Sequence, residues 1–316
     1  MNVAQPLIAD RADKVGEGVK IGPMTWRGVF PAITTPFNPD LSVDHDFLKE
    51  HVEWLIGSGS EGIVALGSLG EGATLTYQEK IEILNSCVEV AAGRVPVVAG
   101  ISSLSTKEAV ELAKDSEQAG CRGLMVLPPY VYKGDWRETS AHFRAVIGAT
   151  GLSCMLYNNP IAYGTDVTAL QMKELCDLEN LHAVKESSGD VRRVTGIKEV
   201  LGDRLTIFVG VDDLIVEGIQ AGATGWVAGL VNAFPAESIS LFEMASAGSP
   251  QTAELYHWFL PLLRLDVVFD FVQLIKLVQQ EVGMGNERVR PPRLEIAGQK
   301  RKDVLALIRH HMDNRP

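Results

Sequence analysis

Leu181-His182-Ala183-Val184-Lys185-Glu186-Ser187-Ser188-Gly189 is a short apolar run that ends on a lysine and then breaks into two serines and a glycine. A run of this length bounded by turn formers reads as a buried strand. The lysine is the anomaly. A buried ammonium is unfavourable unless it is paired or serves chemistry. A desolvated amine loses its proton readily and attacks a carbonyl or imine carbon. The plainer alternative is a strand-end lysine whose stem lies on apolar surface while its head reaches water.

Seven similar runs flank this one. Gly28–Thr34, Gly62–Leu66, Val95–Ala99, Gly123–Leu127 and Ser153–Tyr157 precede it, and Leu205–Val209 and Gly225–Ala228 follow. Helical patterns separate them. Asp44 precedes a helix with Leu48, Val52 and Leu55 on one face. Thr76 and Glu79 form a capping box ahead of Tyr77, Ile81, Leu84 and Val88. Ser105 with Glu108 caps a third helix, and a fourth runs from about Trp136 to Ile147.

The last ~80 residues carry no strand signal. They hold helical stretches around Glu254–Leu265, Val267–Val282 and Lys300–His311. Strand–helix alternation followed by helices alone predicts an α/β fold, a (β/α)₈ TIM barrel with a C-terminal helical extension. The nearly continuous apolar strands suit a parallel barrel. A doubly wound open sheet competes, but no Gly-x-Gly-x-x-Gly or Walker-type loop follows any strand. The expected division is a loosely ordered N-terminal extension over 1–25, a barrel core over 26–235, and the last barrel helix with the C-terminal helices over 236–316. In that last region Phe259, Leu263, Phe269, Phe271 and Leu274 fit either intrachain core or a subunit contact.

Composition narrows the function classes. The 316 residues are 46% hydrophobic and 22% charged, with a net charge of −11. That charge argues against nucleic-acid and anionic-membrane partners. No apolar run reaches the ~18–20 residues that span a bilayer. Cys87, Cys121, Cys154 and Cys176 sit singly in apolar patterns and read as reduced core residues of a cytoplasmic protein. The seven histidines show no paired spacing. Asp212 and Asp213 are the best metal candidates and poor ones, so no metal is expected.

In such barrels the active site lies at the C-terminal ends of the strands. That rule selects Thr34, Thr35, Ser68, Tyr130, Tyr157, Lys185 and Gly210. Tyr157 and Lys185 end adjacent strands, and a phenol beside an amine can shuttle protons for an imine. Tyr157 also reads as an amphipathic strand-end residue with its hydroxyl bonded to backbone. Gly67-Ser-Leu-Gly-Glu71 offers a hydroxyl and a nest of N–H groups suited to a carboxylate, or is a plain turn that needs glycine. Glu71 fits a role in tying that loop together, and Glu186 points away from Lys185 on the strand.

Taken together, Gly67-Ser-Leu-Gly-Glu71, Tyr157-Asn-Asn-Pro160, Val184-Lys-Glu-Ser-Ser-Gly189 and Gly210-Val-Asp-Asp213 resemble the dihydrodipicolinate synthase / N-acetylneuraminate lyase family, over roughly residues 26–312. The resemblance implies a barrel with C-terminal helices, usually a homotetramer, acting on a small 2-oxo acid or cyclic imine. It implies no cofactor, the covalent imine on Lys185 taking that place. It further implies that Tyr157 moves protons at the imine nitrogen and that Ser68 is a relay hydroxyl next to Tyr157. The N–H groups around Leu69 and Gly70 would hold the carboxylate, with Gly210, Val227, Tyr130 and Asn159 lining the pocket.

Three departures bear on substrate. Leu69 stands where the family has a second threonine. Ala162 stands where the synthases carry the arginine that clamps a substrate carboxylate, and alanine offers no charge. Val131 stands where a tyrosine is donated by the neighbouring subunit, with Tyr130 and Tyr132 flanking it. These point away from dihydrodipicolinate synthesis. With Trp226-Val-Ala-Gly-Leu-Val-Asn-Ala-Phe-Pro235, the motifs resemble the 1-pyrroline-4-hydroxy-2-carboxylate deaminases of hydroxyproline catabolism. The alternatives are an aldolase or dehydratase on a 2-keto-3-deoxy sugar acid and a non-catalytic ligand-binding barrel. The smaller, less polar pocket disfavours the first. An intact lysine–tyrosine pair disfavours the second.

Overall fold

The computed structural model describes residues 24–316. The N-terminal extension expected over 1–25 therefore lies outside the described residues, apart from Met24 and Thr25.

Eight strands and their helices follow the alternating plan. They are β1 (Gly28–Pro31), α1 (His45–Gly57), β2 (Ile63–Ala65), α2 (Tyr77–Ala91), β3 (Val97–Ile101), α3 (Thr106–Gln118), β4 (Gly123–Val126) and α4 (Trp136–Ile147). Then come β5 (Ser153–Asn158), α5 (Pro160–Tyr163), α6 (Ala169–Glu174), β6 (Leu181–Glu186), α7 (Arg192–Leu201), β7 (Thr206–Val209), α8 (Ile215–Gln220) and β8 (Gly225–Ala228). The chain ends in α9 (Pro235–Ser246), α10 (Thr252–Leu263), α11 (Phe271–Glu281) and α12 (Gly298–Asp313).

All neighbouring strands pair in parallel, in the order β1-β8-β7-β6-β5-β4-β3-β2. A bridge from Ala32 to Val64 brings β1 and β2 together, and Ile33 N–H donates to Val64 O at 2.9 Å. The result is the (β/α)₈ barrel. Phe30, Phe208, Trp226 and the aliphatic residues of β2 to β6 are buried, because strands covered on both faces have no solvent side.

The helix starts follow local chemistry. Asp44, Thr76, Ser105 and Asp135 each accept a hydrogen bond from the backbone N–H three residues on, satisfying a donor the helix cannot. In the C-terminal region Phe259, Leu263 and Leu274 are core, whereas Phe269 is 103% exposed. Among the described residues no helix is long and apolar enough to cross a membrane.

Candidate active site

Tyr157 and Lys185 are Cα partners in the β5–β6 register, so their side chains leave the sheet side by side. Lys185 Nζ stands 4.3 Å from the centroid of the Tyr157 ring. Lys185 is 7% exposed, and no described carboxylate comes within ion-pair distance of it. Its sequence neighbour turns away. Glu186 accepts from Asn158 Nδ2 at 3.0 Å and from Ser188 N–H at 2.7 Å, so it pins the loop after β6.

Gly210, at the end of β7, explains itself sterically. A Cβ there would stand 2.6 Å from Lys185 Cε and 2.0 Å from Ser187 Oγ. Only glycine leaves the lysine stem its path.

The tyrosine side of the site is richer than the sequence suggested. Tyr157 Oη accepts a hydrogen bond from Asn159 Nδ2 at 3.0 Å. Asn159 also N-caps α5, accepting from Ala162 N–H at 2.9 Å. The single turn of α5 delivers Tyr163, whose ring meets Tyr157 edge-on at 5.8 Å and lies 5.8 Å from Tyr130. The Tyr163 hydroxyl shares a hydrogen bond with Ser68 Oγ. Tyr163 thus touches both Ser68 and Tyr157, a link that the sequence reading did not include. Burial holds the Tyr163 hydroxyl far above the ordinary phenol range, so it stays protonated near neutrality.

Sequence reasoning passed over Tyr163. The available signal was an aromatic residue directly before Gly164, whose φ of +69° ends the helical turn. The structure also separates the two tyrosines that flank Val131. Tyr130 reaches the cluster through Tyr163, while Tyr132 is 59% exposed and donates to Glu138 at 3.2 Å.

In the turn after β2, Leu69 is buried and Thr35 Oγ1 donates to Gly70 O at 2.6 Å. A Cβ on Gly70 would lie 2.9 Å from Ile33 O. No described acceptor takes the N–H of Leu69 or Gly70, which leaves two donors for an anion. Glu71 does tie the loop together. It adopts a left-handed φ of +54°, pairs with Lys276 at 2.7 Å and accepts from Arg290 N–H at 3.0 Å. Thr34 is likewise committed, its hydroxyl donating to Gln279 at 2.8 Å.

Val227 is buried in β8, in register with Phe30. Asp212 accepts from Trp226 Nε1 at 2.9 Å and from the N–H groups of Gly229 and Leu230 at 3.1 and 2.8 Å. It is thus a brace between the ends of β7 and β8. Among the described residues no group of three or more His, Cys, Asp or Glu is placed to hold a metal ion.

Residues 25–311 match the dihydrodipicolinate synthetase family. A 4-hydroxy-tetrahydrodipicolinate synthase of Halorhodospira halophila is 34% identical over 283 residues, covering 87% of this chain and 94% of the relative. One of Clostridium perfringens is 38% identical over 218 residues, 69% of this chain and 75% of the relative. Among solved structures, the 4-hydroxy-tetrahydrodipicolinate synthase of Methylacidiphilum fumariolicum superposes with a TM-score of 0.86 at 29% identity, covering 92% of this chain and 98% of that one. The pyruvate complex of the Acinetobacter baumannii dihydrodipicolinate synthase gives 0.87 at 28%, covering 91% and 99%.

Proposed function

The chain belongs to the dihydrodipicolinate synthetase family, and on that premise we propose that Lys185 is a Schiff-base nucleophile acting on 1-pyrroline-4-hydroxy-2-carboxylate. One observation carries this reading. Lys185 is nearly buried, makes no ion pair at contact distance among the described residues, and holds its amine against the ring of Tyr157. A lysine amine held at a strand end without an ion-pair partner is placed to attack a carbonyl or imine carbon.

Lys185 attacks C2 of the cyclic imine and opens the ring, remaining bound as an imine. The protonated imine draws electrons from C3, so a C3 proton leaves and the 4-hydroxyl departs as water. Tyr157 moves protons at the imine nitrogen, and Ser68 connects to it through Tyr163. Tautomerisation then turns the C5 amine into an imine. Two waters hydrolyse the imines at C2 and C5, releasing 2,5-dioxopentanoate and ammonia, with one water consumed overall. No cofactor is needed in this scheme. The free N–H groups of Leu69 and Gly70 hold the substrate carboxylate.

The second reading is the activity named for the relatives, 4-hydroxy-tetrahydrodipicolinate synthesis, and the 34% identity to the Halorhodospira protein favours it. Ala162 weighs against it, since an exposed methyl group cannot clamp a second carboxylate. The deciding experiment measures ammonia released from 1-pyrroline-4-hydroxy-2-carboxylate against consumption of pyruvate with aspartate semialdehyde, and against pyruvate release from 2-keto-3-deoxy sugar acids. The deaminase reading requires ammonia release to be fastest, and faster turnover in either other assay contradicts it.

A homotetramer belongs to the same proposal. Val131, Tyr132 and Ile161 offer exposed apolar side chains for subunit contact near the site. The four free cysteines support a reducing, cytoplasmic setting.

A further inference from the structure

Asp266 lies in the short turn between α10 and α11, and its carboxyl reaches back over the end of β8. A Cβ on Gly229 would stand 1.9 Å from Asp266 Oδ1 and 2.4 Å from its Cγ, so the carboxyl occupies the space that a side chain at 229 would fill. Asp266 is half-buried and makes no side-chain hydrogen bond or ion pair among the described residues. Half-buried and unpaired, the carboxyl is free to meet a molecule that enters the C-terminal mouth of the barrel.

Its surroundings define what that is. Asp212 lies beside it with its lone pairs already taken by Trp226, Gly229 and Leu230. Asp213 faces Arg264 at 3.9 Å. Lys185 is the nearby cation whose charge acts on both Asp212 and Asp266. Burial, reinforced by the charge of Asp212, pushes the Asp266 carboxyl well above the usual carboxylate range. A carboxyl kept protonated near a nucleophilic amine is equipped as an acid.

We propose that Asp266 is a further catalytic residue, the acid that protonates the ring nitrogen released when Lys185 opens a cyclic imine and then pairs with the amine so formed. The proposal rests on the reading of Lys185 as nucleophile. In the step, the Lys185 nitrogen bonds to C2 and the C2–N bond of the ring breaks, its electron pair staying on the ring nitrogen. That nitrogen gains two protons, one from the lysine nitrogen and one from the Asp266 carboxyl. The products are a protonated imine on Lys185, a free primary amine on C5 and the Asp266 carboxylate. A 2-oxo acid has no ring nitrogen to expel, so imine formation with pyruvate makes no such demand.

The test compares wild type, Asp266→Asn and Gly229→Ala, the last because a methyl group there displaces the carboxyl without removing it. Ammonia release from 1-pyrroline-4-hydroxy-2-carboxylate is followed from pH 5 to 10, and borohydride trapping of pyruvate on Lys185 is measured in parallel. In wild type, kcat/KM falls as pH rises through the titration of Asp266, whose protonated form is the active one. Both variants should lose about 10²-fold in kcat, and Asp266→Asn should lose that alkaline limb, while pyruvate trapping stays at the wild-type level and reports an intact fold. Ammonia release by Asp266→Asn within about threefold of wild type, or an equal loss of pyruvate trapping, overturns the proposal. Wild type that traps no pyruvate on Lys185 overturns the nucleophile reading itself. Trapping without ammonia release in wild type overturns the role of Asp266 while leaving Lys185 in place.

Discussion

Two lysines of this chain sit in nearly the same surroundings and face opposite fates. Lys185 is 7% exposed and Lys276 is 1% exposed. Each holds its Nζ 4.3 Å from an aromatic centroid, Tyr157 for one and Phe37 for the other. The difference lies in partners. Lys276 donates to Glu71 at 2.7 Å and to Arg288 O at 2.6 Å, and Glu71 in turn accepts from Arg290 N–H. Lys185 makes no side-chain hydrogen bond or ion pair among the described residues, and the ring is what its amine touches. A buried charge with its hydrogen bonds satisfied holds structure together, and one left without them is available for chemistry.

The largest effect expected from that contrast is on turnover. Lys185→Ala should lower kcat at least ~10⁴-fold while leaving the melting temperature nearly unchanged, because it removes a nucleophile that makes no ion pair or side-chain hydrogen bond among the described residues. Melting and turnover measured on one preparation check both halves. A melting temperature that falls steeply would make Lys185 a structural residue like Lys276.

Lys276→Met should do the reverse. It leaves Glu71 buried beside no ammonium, a loss of about 3–5 kcal/mol. Denaturant unfolding should show the drop, with residual activity scaling with the folded fraction. Burial lowers Lys276 to about 8, and the Glu71 charge opposes that shift. Methionine relieves the first and abandons the second, so a variant as stable as wild type would break the comparison.

Tyr157→Phe keeps the ring under Lys185 and deletes the hydroxyl that Asn159 orients. A loss of about 10²-fold in kcat is expected, with pyruvate still trapped on Lys185, though more slowly. Unchanged turnover would remove Tyr157 from the proton path.

The smallest effect lies in the paired network. Arg290 donates to Glu79 at 2.5 Å and lowers its carboxyl from 4.5 to about 2. Stability from this pair is fully present above pH 4.5 and is lost as pH falls toward 2, on the order of 2 kcal/mol. Glu79→Gln should flatten the melting temperature over that window, measured from pH 5 to 2.5. Equal acid sensitivity in the variant would place the titrating group elsewhere.

The sequence carried the fold further than the site. β8 and α4 fall on their expected bounds, since a glycine and a capping Asp135 mark where each begins. β3 instead runs Val97–Ile101 rather than Val95–Ala99, because Pro96 has no N–H to give a ladder and Gly100 continues it. Lys185 and Tyr157 were legible because a strand-end rule and a shared register place them without tertiary detail. Tyr163, Lys276 and Asp266 were not. Tyr163 meets Ser68 across 95 positions, and Lys276 meets Glu71 across 205. Lys276 stands in Leu274-Ile-Lys-Leu-Val278, as apolar a setting as that of Lys185, so no local pattern tells the two lysines apart. Only the closing of the barrel decides which of them meets a carboxylate.

Borohydride trapping followed by peptide mapping tests this account most directly. Wild-type protein treated with pyruvate, and separately with 1-pyrroline-4-hydroxy-2-carboxylate, should carry one covalent adduct, on the peptide containing Lys185, and Lys185→Ala should carry none. An adduct on Lys276, or none on Lys185 with either compound, would contradict it.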